Sequence, residues 1–482
     1  MIFETSPSQP SVCTVIDKVQ AAFFHLSFCL KYQNKIPLPK SSLHRPSHIM
    51  RIPSLPLAFL FAGTLSAHAA IIDVQPSQPL QAAIDQAQPG DTLRLAAGKY
   101  SGKIIINKPL TIEGTEQHSA VIEGDRTGRT VSVSAPDVTL KNLTVTRSGL
   151  SLPDMDAGIF LDKAAARAKI LNNHLLENSV GVYLWGAPEA LVEGNTIIGD
   201  KQLRVNERGN GVTVWNSLYS KVIHNDISYG RDGIFSNASN FNVFSHNTFH
   251  QLRYGVHYMY TNDSEINDNV AYGNTIGYAI MFSDRIKVKN NISWSNLEQG
   301  MMLNYANNSE IVGNAIEKSD KCIFMYNANN NLFTNNYFSQ CGMGIHFSAA
   351  AEGNKIRENA FVNNEIQIKF VSTRFSDWAD GGKGNYWSDN SAFDLDGDGI
   401  ADTAYKPNSI TDQILWRAPA ARLLMNSPAV SIVKWAQQQF PAIMPGGVTD
   451  SKPLMTMPDS ETVQKLRQLQ IKQPAPQQAT QS

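Results

Sequence analysis

The 482-residue sequence predicts an all-β protein, a right-handed single-stranded parallel β-helix with three short strands in each coil of about 22 residues. Three observations predict it. One asparagine recurs at a near-constant step, an apolar residue and a glycine keep constant offsets from it, and no stretch within the repeat has the length and period of an amphipathic helix.

The asparagines are Asn173, Asn195, Asn225, Asn247, Asn269, Asn291, Asn314, Asn336 and Asn359, at steps of 22, 30, 22, 22, 22, 23, 22 and 23 residues. The long step holds an insertion near 201–208. Three residues before each asparagine stands an apolar residue: Ile170, Val192, Val222, Phe244, Ile266, Val288, Ile311, Phe333 and Ile356. Glycine stands 14 or 15 residues before: Gly158, Gly181, Gly211, Gly233, Gly255, Gly277, Gly300 and Gly344, with Cys322 filling the one gap. Runs such as Gly181-Val-Tyr-Leu-Trp185 alternate in and out, as strands against a core do. Asparagine suits a tight bend with left-handed backbone, and stacked amides can bond along the axis. Glycine is expected to permit the bend that opens each coil. The parallel crossover rule sets the right hand, and roughly ten to twelve coils at ~4.8 Å give a rod.

A rod needs covers at its ends. Leu80–Ala87 reads as an N-terminal helical cap, followed by a first strand over Gly90–Tyr100, so the β-helix with its cap spans 70–373. Residues 374–408 form a Gly/Asp-rich appendix. Residues 409–440 form an apolar, partly helical segment whose Leu415, Trp416, Leu423, Leu424, Val433 and Trp435 suit docking. The Pro/Gln-rich tail, 441–482, is expected to be disordered.

Residues 1–49 read as an extension outside the native protein, with translation starting at Met50. Residues 50–69 have a thin positive end, an apolar stretch and Ala67-His-Ala69, the pattern of a signal peptide cleaved after about Ala69, which places the protein in the periplasm. The formal charge of −1 argues against a nucleic-acid partner. No apolar run is long enough to span a membrane. Beyond the leader only Cys322 and Cys341 remain. An oxidising compartment permits their disulfide, but their repeat positions differ by about three residues, so the pairing stays open.

Register stacks the side chains. Two residues after the glycine column, the outward positions are Tyr183, Thr213, Phe235, His257, Ala279, Met302, Phe324 and His346. Four after it they are Trp185, Trp215, Asn237, Met259, Met281, Asn304, Tyr326 and Ser348. His257, Met259, Met281 and Met302 thus share one face, and imidazole with thioethers suits Cu(I). The competing reading is a protein-docking surface, which methionines and aromatics also make. The pair Trp185 and Trp215 reads either as a sugar platform or as packing beneath the insertion. A polysaccharide lyase or epimerase needs a base and cations beside a uronate. Arg231 and Arg253 stack and Asp232 and His250 lie near, but no Asp/His/Arg cluster is expected to converge, and no catalytic residue is assigned.

Asp394, Asp396, Asp398 and Asp402, in Asp-Leu-Asp-Gly-Asp-Gly-Ile-Ala-Asp, match the first half of a calcium loop. Tyr405 replaces the twelfth-position glutamate, so a calcium-stabilised hairpin is expected rather than an EF-hand.

The runs Arg253-Tyr-Gly-Val-His-Tyr-Met-Tyr260, Gly277-Tyr-Ala-Ile-Met281 and Gly384-Asn-Tyr-Trp-Ser-Asp389, with Asp396-Gly-Asp-Gly-Ile-Ala-Asp402, resemble the NosD family from about 71 to 440. The resemblance implies a periplasmic, non-enzymatic accessory protein of an ABC transporter, with a membrane permease and an ATPase as partners. It implies help in loading copper into nitrous oxide reductase, with a copper chaperone lipoprotein as a further partner. The chain has no phosphate-binding glycine loop of its own. On this view His257, Met259, Met281 and Met302 handle copper, and 410–440 docks onto the permease.

Overall fold

The computed structural model describes residues 69–348, 351–370, 375–408 and 447–472, with isolated stretches between 412 and 432. The expected upstream extension, all but the last residue of the signal peptide, and Leu415, Val433 and Trp435 lie outside the described residues.

The chain winds as a right-handed parallel β-solenoid. Sheet I has 13 strands, from Ile71–Val74 to Lys355–Arg357. Sheet II has 12, from Ile104–Ile106 to Ile366–Phe370, and carries the glycine column. Sheet III has 13, from Gly98–Ser101 to Tyr386–Trp387. Each coil adds one strand to each sheet, so the apolar column of sheet I and its inward partners bury one continuous core. Phe244, Phe249, Phe333, Phe338 and Phe361 are all fully buried in it.

The asparagines run as one amide ladder inside the turn between sheets I and III. Each Oδ1 accepts the backbone N–H and the Nδ2–H of the previous coil's asparagine, at 2.9 and 3.0 Å for Asn225 with Asn247. Each Nδ2 also donates to a carbonyl of the coil behind, as Asn247 does to Val222 O at 2.8 Å. A buried amide has two donors and an acceptor to satisfy, and stacking satisfies them at every coil.

Two local expectations need correction. The left-handed residue is not the ladder asparagine but the one before it, including Asn172, His224, His246, Asp268, Asn290 and Asn335. The ladder position is selected for its inward amide, and the corner beside it takes the bend. The glycine column is not there to bend either. A Cβ on Gly233 would lie 2.4 Å from Gly255 O, and one on Gly277 2.5 Å from Gly300 O, so glycine is needed for close stacking of neighbouring coils.

Helix α1, Leu80–Gln86, buries Leu80 and Ile84 and caps the rod as expected. Its Gln81 amide pairs with both backbone groups of Ile105, which satisfies the first strand of sheet II where no further strand follows. The strand Ile71–Val74 precedes α1 and pairs with Thr92–Leu95, an element absent from the sequence reading.

At the other end, repetition continues past 373. Tyr386–Trp387 pairs with Ala360–Phe361, and Asn385 extends the ladder below Asn359 at a step of 26 residues. The tail is not disordered over its described part. Gly447–Thr449 pairs with Phe375–Asp377. Helix α2, Glu461–Lys472, lays Leu466 among Val270, Ile292, Trp294, Ala315, Tyr337 and Ala360 on the outside of sheet III. Arg467 of α2 binds the fully buried carboxylate of Glu317. Val463, Leu466 and Leu469 recur every third residue, an apolar stripe inside a segment whose overall composition is polar. Cys322 and Cys341 form a disulfide with Cα atoms 5.7 Å apart. Their register offset is spanned because Cys341 follows the strand Tyr337–Ser339 of sheet III, while Cys322 lies near the start of Lys321–Tyr326 in sheet II.

Candidate metal centre

The site lies on the outer surface of sheet II, and its register is the one expected from the sequence. His257 pairs with Phe235 on one side and Ala279 on the other, and Ala279 pairs with Met302. One row along, Met259 pairs with Met281, and Met281 with Asn304. His257 and Met302 therefore flank the small Ala279, and Met259 and Met281, ~4.8 Å apart on neighbouring strands, lie ~7 Å along the strands from His257 and Ala279.

The environment differs from an open patch. The three methionines are partly buried, and His257 is only 7% exposed. Phe235 packs against its ring with centroids 5.0 Å apart, and Tyr254 meets it edge-on at 5.1 Å. Ala279 is fully buried.

An Asp/His/Arg cluster does converge here, contrary to the expectation. Asp232 Oδ2 lies 2.9 Å from His257 Nδ1. Arg253 Nε and Nη2 donate to the same carboxylate at 2.8 and 2.6 Å. The columns did not show this because Asp232 stands one residue before its glycine, at a position whose side chain alternation alone would turn away from the outer face. Burial pushes the Asp232 carboxyl up, but the hydrogen bonds from His257 and Arg253 outweigh it and hold the group below its ordinary value. Burial pulls the Arg253 guanidinium down, and the Asp232 carboxylate more than restores it. Arg231, next in the same column, is lowered by burial and then by the charge of Arg253.

Several buried polar atoms on this face have no hydrogen-bond partner: His257 Nε2, Asn304 Oδ1, Gln299 Oε1 and His346 Nδ1. Buried polar atoms are ordinarily satisfied, so the bare Nε2 of His257 is a candidate to bind something else. A neutral imidazole nitrogen beside thioethers is a donor set for a soft cation, so the residues present fit copper.

The other predicted positions fall elsewhere. Asp394, Asp396 and Asp398 bring carboxylate oxygens within 4.8 Å of one another, while Asp402 accepts the backbone N–H of Leu395. Asp394 accepts N–H groups of Gly397 and Gly399, and these backbone bonds hold it below its ordinary value. Tyr405 bonds the Asp389 carboxylate instead of approaching the loop. Trp185 and Trp215 stack with centroids 5.8 Å apart, and Phe160 extends the stack. Leu423, at 92% exposed, and Leu424, at 61%, lie on a short 3-10 helix, Pro419–Leu424, and Trp416 is partly buried. No helix among the described residues is long and apolar enough to cross a membrane.

Residues 193–392, which contain the site, match the family model described as periplasmic copper-binding protein (NosD). A relative from Stutzerimonas stutzeri, named as a probable ABC transporter binding protein NosD, is 36% identical over 417 residues, covering 83% of this chain and 93% of its own length. A relative of the same name from Pseudomonas aeruginosa is 36% identical over 419 residues, covering 84% and 96%. Among solved structures, the A-module of the mannuronan C-5 epimerase AlgE6 from Azotobacter vinelandii superposes with a TM-score of 0.50 at 13% identity, over 64% of this chain and 92% of that one, a likeness of fold alone. With such identity maintained over nearly the full length of both relatives, the chain belongs to the NosD family.

Proposed function

We propose that this chain is the periplasmic accessory subunit of an ABC transporter that matures nitrous oxide reductase, holding copper in transit on sheet II. The observation that carries the reading is the orphaned Nε2 of His257 beside Met259, Met281 and Met302, in a family described as copper-binding. The ion is Cu(I), because thioethers are soft ligands. The membrane permease, its ATPase, the reductase and a copper chaperone lipoprotein are the partners this role requires. The family's periplasmic station fits residues 50–69 as a cleaved signal peptide.

Competition titration of the purified chain against a Cu(I) chelator tests the site. The wild type is expected to bind, and a Met259→Ala/Met281→Ala variant to bind at least about tenfold more weakly, a loss of about 1.4 kcal/mol. Equal binding by both removes the patch from copper handling and leaves it a docking surface. The exposed Leu423 and Leu424 support 409–440 as the segment that meets the permease. Deleting 410–440 is expected to abolish recovery of the intact transporter, and recovery of that complex would end the docking assignment.

One observation favours a second reading. Asp232, Arg253, Tyr254 and His257 together are the groups an acid–base enzyme on a uronate polymer would use. The burial of Nε2 weighs against it, since a sugar ring needs far more room at that nitrogen than a single ion does. Turnover of alginate or pectate would establish the enzyme and displace the copper role.

A further inference from the structure

The two ring nitrogens of His257 have unlike surroundings. Nδ1 faces Asp232 Oδ2 at 2.9 Å, and the Asp232 side chain is only 2% exposed. That carboxylate is clamped from its other side by two N–H groups of Arg253 at 2.8 and 2.6 Å. Arg253 is in turn held over the Tyr254 ring, 4.3 Å from its centroid. Nε2 is buried and has no partner. A neutral imidazole carries one N–H and one lone pair, and the fixed hydrogen bond decides which nitrogen has which. An ionised carboxylate only accepts, so in the neutral ring Nδ1 carries the hydrogen and the lone pair is left on Nε2.

We infer that Asp232, braced by Arg253, is a positioning residue: it locks His257 as the Nδ1–H tautomer and so presents Nε2 as a free ligand beside the methionines. This rests on the copper reading above. The three residues span two coils, Asp232 opening one strand and Arg253 to His257 the next, so the clamp forms only when the two coils are stacked in register. A carboxylate behind a ligating histidine fixes ring orientation and makes the ligand more basic, and its loss typically weakens metal binding about 10- to 100-fold. A purely structural ion pair would leave the tautomer and the affinity unconnected.

The test uses the full folded chain with selectively 15N-labelled histidine. In the metal-free wild type, long-range proton–nitrogen correlation is expected to show Nδ1 protonated and Nε2 bare at His257. Asp232→Ala is expected to move the ring toward the Nε2–H form and to weaken Cu(I) binding about 10- to 100-fold. Asp232→Glu is expected to restore part of both. Where Asp232→Ala fails to fold, Arg253→Lys, which keeps the charge but loses the two-pronged grip, is expected to shift both readouts in the same direction by less. An Nε2–H ring in the wild type overturns the inference. So does Cu(I) affinity unchanged in Asp232→Ala while His257→Ala loses it, and that outcome leaves the copper site standing. Equal Cu(I) binding by the wild type and His257→Ala overturns the inference together with the role of His257 in the copper reading, whatever the tautomer.

Discussion

Asp450 Oδ2 accepts the indole Nε1–H of Trp387 at 2.8 Å, and the same oxygen accepts the backbone N–H of Asn385 at 2.7 Å. Asn385 is the last rung of the asparagine ladder, so Asp450 takes the place of the next Oδ1. A residue from the C-terminal segment thus closes a hydrogen-bonded column that begins more than two hundred residues earlier. Burial raises the Asp450 carboxyl, and the bonds it accepts pull it back only in part.

Removing this closure strands two buried donors. Asp450→Ala is expected to cost about 2–6 kcal/mol, at about 1–3 kcal/mol for each donor left without an acceptor. Asp450→Asn, which keeps one acceptor, is expected to cost less. Denaturant melts of the three proteins check it, and an Asp450→Ala protein as stable as the wild type would show that the ladder needs no terminal acceptor.

Ala279 lies between His257 and Met302 and has no exposed surface. A branched side chain in its place would fill the space between these two proposed ligands. Ala279→Leu is therefore expected to lower Cu(I) affinity at least about tenfold without touching a ligand. The added bulk is expected to cost about 1–3 kcal/mol of stability. Chelator competition alongside a thermal melt separates the two effects, and unchanged affinity in a folded variant would place the ion elsewhere.

His346 sits two strands beyond Met302, against Phe324. Burial, then the charges of Lys369 and Lys321, lower its pKa to about 4 from an ordinary 6.5. The unfolded chain therefore takes up a proton first as pH falls. The contribution of this group to stability is complete above pH ~6.5 and is lost as pH drops from there toward ~4. His346→Gln is expected to flatten that part of the pH–stability curve, and an NMR midpoint for His346 near 6.5 would contradict the assignment.

The Asp394, Asp396 and Asp398 carboxylates are gathered closely enough for one hard cation. With an affinity in the ~10⁻⁴–10⁻³ M range of extracellular calcium modules, about 1 mM calcium is expected to stabilise the chain by about 0.4–1.4 kcal/mol. Melts in calcium and in EDTA read this directly. Identical curves, or an equal calcium effect in Asp396→Ala, would leave the loop an ordinary Asp/Gly turn.

The sequence alone determined the winding, the register and the columns. A period of about 22 residues with one asparagine per turn and no helix-length segment leaves a coil of short strands, and register then places His257, Met259, Met281 and Met302 on a common face without coordinates. Tertiary structure decided what each column does. It showed glycine excluding a Cβ from the next coil, the bend moved to the residue before each asparagine, and His257 buried against Asp232 and Arg253 instead of standing free. It also decided the ends, where Asn385 and Asp450 finish the ladder and α2 covers sheet III. These lay outside the sequence pattern for one physical reason. Repetition reports contacts that recur at every coil, whereas the clamp on His257 and the closure at Asp450 each occur once, between residues whose meeting depends on side-chain direction and on chain separated by 25 and 65 positions.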